Sequence, residues 1–167
     1  MYAWLLDPFL YGDRRLPHRS YPPKYLEIGE LQRLSNISYF KVDLDDLMAT
    51  TKRMSILRHD YKIVHTDVFR IDYNELKNQE QLLDDMYKPK ETEILIHLVT
   101  GGDIYYDLLI QNNNEVTACF EPDDEDQSWI RILLSRGDLI IIPKGQIYRS
   151  TTTGNNFVRV KRFHQHR

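Results

Sequence analysis

Glu93 and His97 stand four residues apart in the β-rich run Glu93-Ile94-Leu95-Ile96-His97-Leu98-Val99. Side chains alternate along a strand, so residues i and i+4 share a face. A carboxylate beside an imidazole could hold a metal ion, with Tyr148 as a third contact. The same pair also reads as a core histidine hydrogen-bonded to an acid, and two protein ligands rarely suffice for a metal. A second constellation is Gly137-Asp138-Leu139-Ile140-Ile141-Ile142-Pro143-Lys144-Gly145-Gln146-Ile147-Tyr148: a glycine, five residues, Pro-x-Gly, two residues and then a phenol. Tyrosine binds metal as a phenolate, and its ordinary pKa of about 10 opposes that at neutral pH. His164-Gln165-His166 has His-x-His spacing but sits near the last residue, where a frayed tail is expected. His18, His59 and His65 are scattered. The sequence shows no Ser-His-Asp pattern, cysteine nucleophile or glycine-rich phosphate loop.

The elements that must position these residues fall into two styles. Residues 8–25 carry Pro8, Pro17, Pro22 and Pro23 and read as a connector without regular structure. Leu26, Ile28, Leu31 and Leu34 suit a short helix, and Ile37 to Val42 a strand. Asp45 to Arg58 reads as an amphipathic helix with Leu47, Met48, Met54, Ile56 and Leu57 as its apolar positions. Tyr73 to Met86 reads as one further helix, with Asp72 and Glu75 making a capping-box-like start.

After Tyr87 short strands alternate with turn residues. Strands are expected over Glu93–Val99, Ile104–Ile110, Glu115–Phe120, Trp129–Leu134, Leu139–Ile142, Ile147–Thr152 and Phe157–Phe163. Gly101-Gly102, Asn112-Asn113-Asn114 and Ser135-Arg136-Gly137-Asp138 read as the turns between them. Glu121 to Asp126 is an acidic, solvated loop. Tyr105-Tyr106 must alternate, one of them lining an interior. Helices first and strands later predict an α+β chain, mainly β, closing as an antiparallel sandwich or barrel.

The 167 residues are enough for one domain with a sizeable core, and 41% hydrophobic with 28% charged residues is a globular composition. A net charge of −3 without a basic block argues against nucleic acid. Cys119 is the single cysteine, which excludes an intrachain disulfide and suits a reducing compartment. No apolar run approaches the ~20 residues of a membrane helix, and Met1 to Asp7 is unlike a secretory signal. A monomer in the cytoplasm or nucleus, away from membranes, is expected.

Taken together, the chain resembles the acireductone dioxygenases, metal-dependent cupins of methionine salvage. The resemblance is carried in order by Ala3-Trp4, Pro17-His18-Arg19, Leu31-Gln32-Arg33-Leu34, Tyr39-Phe40-Lys41-Val42-Asp43, Gln127-Ser128-Trp129-Ile130-Arg131-Ile132, Arg136-Gly137-Asp138 and Asn156-Phe157 with Arg162. It implies a cupin β-sandwich barrel over about residues 87–163, with a helical and irregular part over about 1–86, in one domain. The family holds Fe(2+) or Ni(2+) with His-x-His-x-x-x-Glu on one strand and a later histidine after Pro-x-Gly. Anchored on Glu93, its histidine positions are Tyr87, Pro89 and Tyr148, and its arginine two residues after the acid is Leu95.

That reading leaves Glu93 as the one retained ligand and implies that no metal is bound. The expectation is an inactive relative acting through a protein partner or a small polar metabolite in a cavity around Glu93, Leu95, Tyr148 and Arg162. Arg162 matches a cavity-facing position of the family, and without a metal it would equally pair with Glu93. The alternative is an active enzyme, oxidising acireductone to a keto-acid and formate, with a site rebuilt from Glu93, His97 and Tyr148.

Overall fold

A computed structural model describes residues 1–9, 12–111 and 127–167. The expected turn at 112–114, the strand at 115–120 with Cys119, and the acidic loop at 121–126 lie outside the described residues.

One strand organises the chain. β5 (Leu95–Gln111) runs unbroken for 17 residues, and every pairing it makes is antiparallel. Its second half is flanked by β6 (Gln127–Ser135) and β8 (Ile147–Thr152). Beyond these lie β1 (Tyr2–Leu5), paired with β6, and the short β4 (Lys90–Glu91), paired with β8. Its first half is flanked by β7 (Asp138–Ile142) and β9 (Val158–His164). β2 (Ser38–Lys41) continues that second sheet on β7, and β3 (His65–Ile71) continues it on β9. The two sheets share β5 and curl over a common interior.

The Gly101-Gly102 pair was expected to be a turn between two strands. It is instead a bulge inside β5, where the register against β9 slips between Val99 and Gly101. Gly102 has φ +68°, and a Cβ there would lie 2.1 Å from the Phe157 carbonyl oxygen. Glycine is therefore needed for both conformation and clearance as the strand passes between sheets.

The core follows the strand alternation. Leu95, Val99, Ile104, Tyr106, Leu108, Ile130, Ile132, Leu134, Ile140, Ile142, Val158 and Val160 fill the interior between the sheets. Ile96, Leu98, Leu139, Ile141 and Phe163 face the other side, where Met54 and Leu57 of the helix α2 (Leu47–Asp60) cover them. With both faces covered, β7 is buried at all five positions.

The N-terminal half departs from expectation in three ways. β1 and β3 were not anticipated, and with β2 they pair into the two sheets, so the part before residue 87 supplies strands to the sandwich as well as helices. α1 (Ile28–Ser35) forms where the leucine spacing placed it. α2 is capped by Asp46, which accepts from the Ala49 N–H, but Leu47, Met48 and Ile56 are exposed rather than packed. The single helix over 73–86 is a 3-10 turn at Tyr73–Asn78 followed by α3 (Glu80–Tyr87). Gln79 lies at the break. Its side chain accepts from the Asp72 N–H and donates to the Arg70 carbonyl, tying the break to the end of β3.

A charge network anchors the outer face of the first sheet. Asp107 of β5 is fully buried and sits between Arg131 of β6 and Arg149 of β8. Arg131 donates Nε to Oδ1 at 2.8 Å and Nη2 to Oδ2 at 2.9 Å, and Arg149 donates Nε to Oδ2 at 3.0 Å. Arg131 Nη1 also reaches the carbonyls of Arg14 and Leu16, fastening the proline-rich connector. The Trp4 indole N–H donates to the Pro17 carbonyl at 2.9 Å and does the same work.

Removing the carboxylate would strand two guanidiniums without a counter-charge. Asp107→Ala should cost ~3–5 kcal/mol, the usual consequence of breaking a buried ion pair. A lower urea midpoint checks this; an unchanged midpoint would show the network to be dispensable.

Candidate functional site

The interior opens beside Phe69 of β3, Met86 of α3, Lys90 of β4, His97, Ile104 and Tyr106 of β5, Tyr148 and Ser150 of β8, and Val160 and Arg162 of β9. The space they enclose is about 80 Å³. Sites for metabolites are commonly ~300–1,000 Å³. The bulk of Tyr106, Tyr148, Phe69 and Met86 accounts for the difference.

The bend in β5 sets the central contact. His97 lies before the bulge and Tyr106 after it, and the fold of the strand brings His97 Nδ1 within 2.7 Å of the Tyr106 hydroxyl. Burial pushes the His97 imidazole down to about 3, and the Arg162 and His164 charges add to the effect. The ring is therefore neutral at pH 7; what surface it keeps faces the cavity. Burial raises the Tyr106 phenol far above its ordinary value. Burial raises Tyr148 as well, with Arg162 pulling weakly the other way. Neither phenol is a phenolate at neutral pH.

Lys90 is an exposed residue whose long stem turns its head toward the opening, 5.7 Å from the Tyr148 ring centroid. Burial lowers its ammonium pKa, and Asp85 partly offsets this. Arg162 donates Nε to Asp67 Oδ1 at 2.9 Å and Nη2 to Oδ2. His164 Nε2 is 2.9 Å from Asp67 Oδ1. The Arg162 guanidinium holds the Asp67 carboxyl far below the usual carboxylate range.

The residues singled out from sequence are not all brought together. His97, Tyr148 and Arg162 line the cavity. Leu95 is buried in the same interior, on the strand face that His97 shares. Glu93 lies elsewhere: it precedes β5, its side chain is 85% exposed, and it pairs with Lys144 at 3.1 Å. It does not share a face with His97, because the chain is not yet in strand conformation there. Arg162 pairs with Asp67, not with Glu93. Tyr87 ends α3, and its ring packs against Arg149 at 4.4 Å and Arg14 at 5.1 Å. Arg149 and Tyr148 are successive strand residues and point to opposite faces, so Tyr87 is outside the cup. Pro89 is exposed. His164 is no frayed tail, being the last residue of β9 and paired with His65 across the sheet.

Lys90, Ser150 and Asp67 went unnoticed in sequence. Ser150 was within reach of the argument, since it follows Tyr148 by two residues on a strand. Asp67 lies in a strand whose pattern was not recognised, and Lys90 lies in a two-residue strand too short to show a period.

The chemistry available in the cavity is two neutral phenols, one neutral imidazole, a hydroxyl and two cations. Divalent transition metals take imidazole, thiolate and carboxylate donors. Among the described residues, no three His, Cys, Asp or Glu side chains converge as a metal ligand set. Nor is any helix among them long and apolar enough to cross a membrane.

Comparisons with known proteins agree on one lineage. The profile of the ARD/ARD' family matches residues 2–167. The chain is 40% identical over 164 residues to the "Probable inactive acireductone dioxygenase 1" of Caenorhabditis elegans, covering 98% of this chain and 94% of that protein. It is 39% identical to the "Probable inactive acireductone dioxygenase 2" of Caenorhabditis briggsae, with the same coverage. The "Acireductone dioxygenase" of Drosophila pseudoobscura pseudoobscura is 31% identical, over 96% of this chain and 79% of that one. In three dimensions the chain superposes on an acireductone dioxygenase from Bacillus anthracis described with a cadmium ion in its active centre. The TM-score is 0.68 at 14% identity, covering 87% of this chain and 89% of the other, which establishes the cupin fold.

The buried neutral His97 gives a pH signature. Below its ordinary value of 6.5 the unfolded chain takes up a proton at this residue and the folded chain does not. Stability from His97 is thus complete above 6.5 and lost as the pH falls toward about 3. From pH 7 to pH 4.5 the native protein should lose ~2 kcal/mol more than His97→Gln. Urea unfolding at the two pH values measures this, and equal losses would remove the assignment.

Proposed function

Because this chain belongs to the ARD/ARD' family, we propose that it is a catalytically inactive acireductone dioxygenase homologue that keeps the cupin fold and acts by binding rather than by oxygen chemistry. The observation that carries this reading is the cavity itself: about 80 Å³, lined by the hydrogen-bonded pair His97 and Tyr106 and by Tyr148, with no carboxylate among its lining residues. Relatives at 39–40% identity that carry the word inactive in their names support it.

The family's Fe(2+) or Ni(2+) does not fit the residues present. Tyr148 stands where the later histidine belongs and stays protonated. Lys90 and Arg162 put positive charge where a dication would sit. The surroundings of Glu93 argue further that the family pattern should be anchored two residues later, on Leu95. The imidazole positions then become Pro89 and Glu91, and the arginine position becomes His97. On that register the ligand set contains no histidine, and its acid is a leucine buried in the core. The rebuilt site of Glu93, His97 and Tyr148 loses its support, since Glu93 is engaged with Lys144 at the surface.

The purified protein is expected to hold no stoichiometric Fe or Ni and to leave acireductone unconsumed when either is supplied. Full metal occupancy with turnover at the rate of an active relative would overturn the proposal. The register has its own check. Pro89→His, Glu91→His, Leu95→Glu and Tyr148→His together should restore tight Ni(2+) binding, whereas Tyr87→His, Pro89→His and Tyr148→His beside the native Glu93 should not. Calorimetry on both variants reads the outcome, and the reverse result would return the anchor to Glu93.

A further inference from the structure

The cavity has exchanged one charge preference for the other, and we infer that it is a receptor for a small monovalent anion, of the size of acetate or smaller. Four groups point to this. Lys90 brings an ammonium to the opening, with one proton spent on the Asp85 carbonyl at 3.2 Å. Arg162 spends Nε and Nη2 on Asp67 and lies over the Phe69 ring, and its Nη1 has no hydrogen-bond partner among the described residues. The Tyr148 and Ser150 hydroxyls line the same space and have no hydrogen-bond partner among the described residues, although Ser150 is 7% exposed. Both hydroxyls are open to the cavity and can donate to a bound acceptor in place of water.

The charge balance favours an anion. Asp67 offsets Arg162, and Asp85 lies near Lys90, but neither carboxylate lines the cavity. His97 is neutral and His164 sits at the rim on Asp67. Between the apolar walls of Phe69, Met86, Ile104 and Val160, the polar groups facing the space are therefore mainly donors: an ammonium, a guanidinium N–H and two hydroxyls. Anions held in a dry pocket need paired charge and several hydrogen bonds, and this set supplies both. The space beside these donors, about 80 Å³, suits one small ion. The inference rests on the reading of the cup as metal-free.

The test uses sodium acetate as the probe and sodium gluconate as its control at equal ionic strength. Gluconate has the same carboxylate and charge on a much larger body. Acetate should raise the thermal midpoint of the full chain saturably, and gluconate should not. Lys90→Met, which keeps the stem and removes the charge, should weaken acetate binding about tenfold, as should Tyr148→Phe. Both sites tolerate these changes sterically, and far-ultraviolet circular dichroism would confirm the fold. Equal shifts with both salts, no shift with acetate, or undiminished binding in both variants would overturn the anion site. Metal content and acireductone turnover on the same preparation separate the two ideas. A metal-free, inactive protein blind to acetate overturns the anion site alone, while a metal-loaded, active one overturns the parent reading.

Discussion

A single 17-residue strand has to serve as the central member of two sheets, and the rest of the fold is arranged around that demand. To change sheets β5 must bend sharply without breaking its ladder. Gly102 permits this because the Phe157 backbone passes where a side chain would be. The bend decides the site. Two residues nine apart on one strand, His97 and Tyr106, meet across the interior only because the strand folds back between them. The same strand carries Asp107 on its outer face. The interior and the charge network are thus built on one backbone and cannot shift independently.

That coupling bears on the proposal that the scaffold has outlasted its chemistry. A metal centre contributes folding free energy when its ligands come together only in the native state. Here the apolar interior and the Asp107 network tie the sheets together through side chains of the chain itself. Tyr148 is partly buried and packs against the core cluster.

Much of the barrel was legible along the chain. β6 to β9 lie within two residues of where alternation and turn residues placed them, because each is short, rich in β-branched and aromatic residues and bounded by glycine, proline or a polar turn. α1 was legible from leucine spacing. What escaped did so for identifiable reasons. β3, His65 to Ile71, mixes charged and apolar residues because one of its faces meets the cavity mouth and the other meets solvent, so its pattern is faint. Gln79 splits a helix by a side-chain bond to β3, which no local propensity reports. Gly101-Gly102 has the composition of a turn and the geometry of a bulge; the partner strand made the difference.

The site divides along the same line. Residue types alone determined that the family's histidine positions hold other residues: no histidine lies between His65 and His97, and Tyr148 ends the Pro-x-Gly frame. The family likeness was also readable in the order of its motifs. Tertiary structure decided which residues face the interior. Glu93 turns out to Lys144, Leu95 turns in, and Lys90 and Arg162 bring positive charge to the opening. The physical reason is the period of two. Sequence spacing gives relative faces once a strand has begun, but where it begins, and which face is inward, depends on hydrogen bonds to β7, β8 and β9 that are distant in the chain.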